Sequence, residues 1–396
     1  MGKNKMRQSN GKKDHRPWVA GTDESRLIHT RDPFALMIIA VALLLPGCIA
    51  DPELPGVPDL TGLFPGIIVV NEGVWRQDNA TLTLYDQTGD VPLTDWFAAA
   101  NAGRRLGDTG NEIVIRGDRA FVVVSESSAI EVIALPSGAS LGRVRLPAGA
   151  SPRSLAFLDD STAWVTGLDA DAVFQWNPAT LTLGMTVAVG PAPEGVAILA
   201  GRLFVANSGL ARLRADEPGA GTISVIDPVT GTHVGAIDVG GNLRELHAMA
   251  DDGLLYAFIG APLPDTSGSG LVAIDPVTLR VLRRWSIPAA WEVGFDDVAV
   301  EAYVIAAAGV IRIPLRVTSG IDGGARDTVV RGPLSTLSEE VPHAIAISPF
   351  TGEIVIGMAR GYFQAPGRVD RYDREGRPIG SFATGLNPTA IGFVGE

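Results

Sequence analysis

From Gly66 onward the chain is written in short apolar runs broken by glycine, proline and acidic turn residues. Within many runs polar and apolar residues alternate, the period of a β-strand with one buried side. "TLTLY" at 81–85 is an example, and we expect a half-buried strand there. The preceding "VVNEG" reads as an apolar strand that stops at Gly73. Between the two lies "VWRQDNA", a tryptophan and an arginine in a place where a plain hairpin needs neither. No stretch of the body carries the longer period of an amphipathic helix, so a helical solenoid is excluded.

The runs repeat. The clearest unit spans 193–240, "PEGVAILAGRLFVANSG…GTISVIDPVTGTHVGAIDVG", and holds the β-like segments "GVAIL", "RLFVA", "TISVID" and "HVGAIDV". "DPVTG" between the last two has the composition of a tight turn. Similar units occupy 152–190, 244–287 and 342–385, with weaker copies at 111–147 and 294–331. Aligned two residues before the first apolar triplet, the units mark Asn111, Arg153, Glu194, Glu245, Asp296, His343 and Thr389, at spacings of 42, 41, 51, 51, 47 and 46. A period of roughly 40–50 residues with four strands per unit predicts a β-propeller. The chain ends on "NPTAIGFVGE", a first strand without successors, and the body opens on "GIIVVNEG", "TLTLYD" and "VPLTDWF", three strands without a first. Joined, they complete a blade. The expectation is all-β: seven four-stranded blades over 66–396, the first closed by the C-terminal strand, which removes two free edges.

The repeat "PEGVAI…RLFVANSG…TISVIDPVTG" resembles the YVTN-type, YncE-like seven-bladed propeller repeats, and the resemblance covers about 66–396. The opening "VVNEGVW…TLTLYD" with "RLGDTGNEIVIRGDRAFVVVSESSAIEVI" is similar to a lipoprotein branch of that family. Some members of that branch are surface corrinoid-binding partners of vitamin B12 transporters. The resemblance therefore implies capture of a bulky nutrient, with an outer-membrane transporter as partner. It speaks to fold more than to ligand, because the repeated residues are mainly core and turn residues.

Charge and the N-terminus refine the picture. Residues 1–47 hold eight basic and four acidic side chains, leaving 24 basic and 40 acidic in the remainder, a formal −16. A body this acidic is a poor partner for nucleic acid or an anionic bilayer. The apolar run "FALMIIAVALLL", Phe34 to Leu45, has 12 residues, the length of a signal-peptide core and too short to span a membrane. "LPGC" follows and ends at Cys48, the only cysteine, in the manner of a bacterial lipobox. We expect a signal peptide over 1–47, a lipidated Cys48, a Pro-rich tether over 48–65, and a monomeric propeller in the cell envelope, held to the membrane only by its lipid.

In a propeller the innermost strands line a central channel. The seven aligned residues should therefore ring one mouth, and the loops between second and third strands should open on the same face. Four of those loops are long: 71–80, 207–221, 260–270 and 360–367. They carry Trp75, Tyr362 and Phe363 with Arg76, Arg212, Arg214 and Arg360. Arg244 and Trp291 lie on neighbouring entry loops. Enlarged loops on one face are where propellers build function. The candidate ligand-binding set is thus Glu72, Trp75, Arg76, Asn111, Arg153, Glu194, Asn207, Arg244, Glu245, Trp291, Asp296, His343, Arg360 and Tyr362. The body has three histidines, His233, His247 and His343, and shows no heme-attachment motif, Cys/His cluster, nucleophile elbow or nucleotide-binding glycine motif. The expected activity is binding without catalysis or cofactor. The alternatives are a metal-dependent lactonase, with Ca or another divalent ion held by Glu72, Glu194, Asn207 and Asp296, and an envelope scaffold.

Overall fold

The computed structural model describes residues 65–211, 213–261, 268–316, 326–332, 339–361 and 363–395. The signal-like segment, Cys48, nearly all of the tether, Arg212, Tyr362 and most of the 260–270 loop lie outside them. The described residues form seven four-stranded antiparallel sheets arranged as a β-propeller. Blade 1 pairs Pro388–Val394 with Gly66–Asn71, followed outward by Thr81–Asp86 and Val91–Leu93. Blades 2 to 7 then run in chain order. Their innermost strands are Gly110–Arg116, Pro152–Phe157, Pro193–Leu199, Asn242–Met249, Glu292–Asp296 and Glu340–Ile347. The seam predicted from the two chain ends is present: Ile67 lies opposite Phe393 and Val69 opposite Ile391.

Apolar runs form these strands because each sheet is packed on both faces. Ile68 and Val70 face blade 2, in one apolar cluster with Leu82, Val122 and Ile133. Ile67 and Val69, from the same strand, face blade 7 with Val355, Val369 and Phe382. Similar wedges fill the other five junctions between blades. "TLTLY" is consequently not half-buried. Its alternate residue Thr83 is fully enclosed, and its hydroxyl accepts from Asn71 Nδ2 at 2.9 Å. The polar residues of the repeat build turns: Asp227 accepts from the amides of Val229 and Thr230 at 2.9 and 3.0 Å, and Asp275 does the same for Val277 and Thr278.

"VPLTDWF" departs from its expected strand. Only Val91–Leu93 pairs; Asp95 then caps a short helix, Trp96–Ala100, through the amide of Ala98. Trp96 and Phe97 are fully buried against blade 2, so burial of two large rings overrides the strand pattern. Arg104 and Arg143 (Nε to Oε2, 2.6 Å) both pair with the buried Glu131, and Arg143 also reaches Leu106 O. These contacts tie the connector 94–109 to blade 2.

The seam adds a polar clasp to its apolar wedge. Tyr85 stacks on Phe382 at 4.1 Å, and Arg371 of blade 7 donates to the Tyr85 hydroxyl at 3.0 Å. A chain ending at Leu386 loses the inner strand of blade 1 and exposes both adjacent wedges. Its thermal midpoint, followed by circular dichroism, should fall by more than about 5 °C; in domains of about 150–250 residues each kcal/mol shifts the midpoint by roughly 2–4 °C, and by less in a larger one. A truncated protein melting with the full-length chain would show that the seam is dispensable.

Candidate functional site

Most inner strands begin with a shift in register. Pairing skips a residue at Asn111, Arg244, His343 and Thr389, and two residues at Arg153–Ser154 and Glu194–Gly195. A residue skipped by the ladder is free to re-aim its side chain. Blade 6 has no shift and presents Glu292, the first residue of its strand. Asn111, Arg153, Glu194, Arg244, Glu292, His343 and Thr389 line a cavity of about 400 Å³ along the channel. One residue deeper are Glu112, Ser154 and Glu245; below them the wall turns apolar, with Ile113, Phe295, Ile345, Ile391 and Phe393.

This ring corrects the one read from spacing at two places. In blade 5 the ring position belongs to Arg244, and Glu245 sits one step down the channel. In blade 6 it belongs to Glu292. Asp296 is at the far end of that strand, buried, paired with Arg374 and accepting from the amides of Val298 and Ala299. Asn207 is also absent from the cavity: it is 1% exposed inside blade 4 and donates to Thr222 and Ser224 at 3.0 Å each. Glu72, Glu194, Asn207 and Asp296 therefore do not converge into the metal site considered from sequence. Among the described residues no group of three or more His, Cys, Asp or Glu is arranged to hold a metal ion.

Arg244 is the hub of the mouth. Its Nη1 donates to Glu292 Oε1 at 3.1 Å and to Trp291 O at 3.0 Å, and its Nε lies 3.7 Å from Glu194 Oε2. The Glu292 charge, then that of Glu194, pushes the guanidinium pKa further up. Arg153 and Asn111 hold each other, Nη1 to Oδ1 at 2.9 Å and Nδ2 to Arg153 O at 3.2 Å. Burial raises Glu112 to about 7, against hydrogen bonds from Leu155 N and Ser154 Oγ at 2.6 and 3.0 Å. Burial, with the charges of Glu292 and Glu112, raises Glu245 to about 8. Burial also raises Glu292 and Glu72. His343 is held down to about 4 by burial and by the Arg244 charge, and its Nε2 lies 3.9 Å from Glu72 Oε2. The mouth is a desolvated field of mixed sign, not a set of fully neutralised pairs.

The 71–80 and 360–367 loops reach the ring through Glu72 and Phe363, both beside His343. Trp75 is 58% exposed, with the Arg76 guanidinium 4.1 Å above its ring. Asp108 holds this loop by accepting from Arg76 N at 3.0 Å and Asp78 N at 3.1 Å, and Arg105 reaches Asp78. Gly73 is needed at its corner: φ is +82°, and a Cβ would meet Asn79 Oδ1 at 2.5 Å. Phe363 packs edge-on to His343, at 5.4 Å. Among the described residues the other rim cations are engaged. Arg360 pairs with Glu340 at 3.1 Å, and Arg214 with Asp171 and Glu217 at 2.6 and 2.7 Å. Trp291 is half-buried in the wedge between blades 6 and 7 and donates to Pro342 O at 3.1 Å, so it acts as a support for the mouth. His247 lies deeper, stacked on Phe295 at 4.1 Å with Nε2 2.6 Å from Asp297 Oδ1. His233 is elsewhere, on an outer strand against Ala188 O.

Residues 65–384 match the family model described as "Domain of unknown function (DUF5074)". No curated protein matches. Among solved structures the chain is similar to hydrazine synthase of Kuenenia stuttgartiensis, with TM-score 0.57 and 18% identity over 71% of this chain and 88% of that one. It is also similar to a quinonprotein alcohol dehydrogenase-like protein of Bacteroides thetaiotaomicron, with TM-score 0.59 and 15% identity over 83% of this chain and 78% of that one. At these identities the likeness is one of fold.

Two outcomes follow from the geometry. Asp108→Ala should free the 74–79 loop, seen as faster proteolytic cleavage there, while global stability drops by only about 1 kcal/mol, the scale of lost capping bonds; an unchanged cleavage rate would show that Asp108 does not hold the loop. Glu112 and Glu245 have folded pKa values above the unfolded value of about 4.5, so the stability they confer at low pH is lost as pH rises through 7 to 8. The unliganded protein should therefore be less stable at pH 8.5 than at pH 6.5 in urea titrations. Glu245→Gln should recover on the order of 1–2 kcal/mol at pH 8.5 and less at pH 6.5, after discounting for solvent in the channel. A pH-independent effect of that substitution would show that Glu245 does not titrate in this range.

Proposed function

The chain belongs to the DUF5074 family, whose description assigns no activity, and we propose that this member is an exported, lipid-anchored propeller that captures a small polar ligand in its channel mouth. The observation that carries the reading is the convergence of seven ring positions from seven blades on one cavity. Six blades give up regular pairing at the same height, and five of those six place a polar side chain there that can reach a hydrogen-bond partner or a charge. Rigid blades hold the ring, so little chain entropy is lost on capture. The signal-like run Phe34–Leu45 and the lipobox-like "LPGC" support export and a lipid on Cys48. The resemblance to the YVTN-type lipoprotein branch supports a nutrient as cargo and an envelope transporter as partner.

The cavity, about 400 Å³, lies near the lower end of the roughly 300–1,000 Å³ typical of small-molecule sites. A ligand as bulky as a corrinoid would rest on the rim, against Trp75, Arg76 and Phe363, while a smaller one would enter the ring.

Isothermal titration against free amino acids, monosaccharides, cobalamin and cobinamide tests the reading. We expect binding by at least one compound, and loss of more than tenfold in affinity in Arg244→Ala for a channel ligand or in Trp75→Ala for a rim ligand. No binding by any member, or binding that neither substitution weakens, would overturn it.

A further inference from the structure

The mouth contains a guanidinium and a carboxyl group that the protein itself leaves incompletely matched. Arg153, on blade 3, has Asn111 as its hydrogen-bond partner and no carboxylate within ion-pair distance among the described residues. Its other N–H donors have no protein partner among the described residues, and Arg153 is one of the residues that line the cavity. Arg244 is the contrast, taken up by Glu292, Trp291 O and Glu194. Glu245, on blade 5, lines the same cavity half-buried, with no hydrogen-bond donor and no ion pair among the described residues. The neighbouring acids differ: Glu112 accepts from Ser154 and Leu155, and Glu292 and Glu194 share Arg244.

Resting on the channel-mouth reading above, we propose that the ligand is a small zwitterion, its carboxylate taken by Arg153 and its ammonium by Glu245. A guanidinium fork matches a carboxylate with two parallel hydrogen bonds, and such charge-assisted bonds are the strong ones in a desolvated site. An anion alone would enter a mouth that also holds Glu72, Glu112, Glu194, Glu245 and Glu292. A cation alone would meet Arg153 and Arg244. An uncharged polyol would bring no charge to match either group. A zwitterion supplies an acceptor for one and a donor for the other from a single molecule bridging blades 3 and 5. The apolar wall below, with Ile113, Phe295, Ile345 and Phe393, gives room for an apolar side chain. The α-amino acids with apolar side chains, and those N-methylated relatives that keep an N–H, have this chemistry.

The ammonium would also relieve the repulsion that Glu245 feels from Glu292 and Glu112. Arg244 is the cation beside it, with Glu194, Arg153 and His343 lining the same cavity. Binding should therefore release protons near neutral pH, and affinity should rise between pH 6 and pH 8.

The test compares three forms of each compound on the unaltered full-length protein by isothermal titration: the twenty free amino acids and glycine betaine, their N-acetyl derivatives where these exist, and the decarboxylated amines. At least one zwitterion should bind, with its N-acetyl and decarboxylated forms each more than tenfold weaker. Arg153→Gln and Glu245→Gln, first shown to be folded by circular dichroism, should each weaken the zwitterion more than tenfold. Titration in two buffers of different ionisation enthalpy should show proton release. If a sugar or a singly charged form binds as tightly as any zwitterion, and Arg244→Ala abolishes that binding, the ligand class proposed here is wrong while the channel site stands. If only rim binding sensitive to Trp75→Ala is found, the zwitterion proposal falls with the channel. If nothing binds, both proposals fall.

Discussion

Ring closure is the constraint on which the rest of this protein depends. Each blade is apolar on both faces, so no blade has a core of its own; every wedge is shared between two neighbours. Seven such wedges close only if the first and last blades meet, and they meet through a strand borrowed from the end of the chain. The Tyr85–Phe382 stack and the Arg371 hydrogen bond lie where that junction forms. Once the circle is closed, the innermost strands are held by their second strands and by neighbouring blades. They can then tolerate the register shifts that turn Asn111, Glu194, Arg244 and His343 toward the axis. The channel chemistry is thus a consequence of the seam.

Much of this could be read from residues alone. The repeat period, the orphan strand at one end and its three missing partners at the other are direct signs of a closed propeller, because a strand's pattern reports burial on the sheet. Loop length points to the face on which the 71–80 and 360–367 loops meet His343 of the ring. The ring members in blades 5 and 6 were not legible. The alignment relied on apolar triplets, and in blade 6 the segment "DDVAV" imitates the start of a strand although it is the turn after one. A single skipped residue is enough to exchange Glu245 for Arg244, because side-chain direction alternates along a strand. Asn207 was misplaced for another reason: its amide satisfies two hydroxyls within its own blade, and sequence does not distinguish such a buried amide from one at a mouth.

The Trp75 loop shows the two levels together. Its composition is unusual for a hairpin, but what holds it lies about thirty residues away, in the "RLGD" that follows the Trp96–Ala100 helix. Asp108 takes two of its amides, Arg105 takes Asp78, and Glu131 anchors the connector through Arg104 and Arg143. The rim of the mouth and the packing of blade 2 are therefore mechanically joined. An exposed tryptophan here is held in place by charged residues and not by apolar packing.

The skipped residues have a bearing on how such a protein changes over time. Asn111, Arg153, Glu194, Arg244 and His343 lie outside the ladder pairing, and none belongs to an apolar wedge between blades. Replacing one alters the lining of the channel while leaving the architecture that carries it in place. Divergence can thus rewrite what the channel recognises one position at a time, with the scaffold acting as a fixed socket for interchangeable contacts.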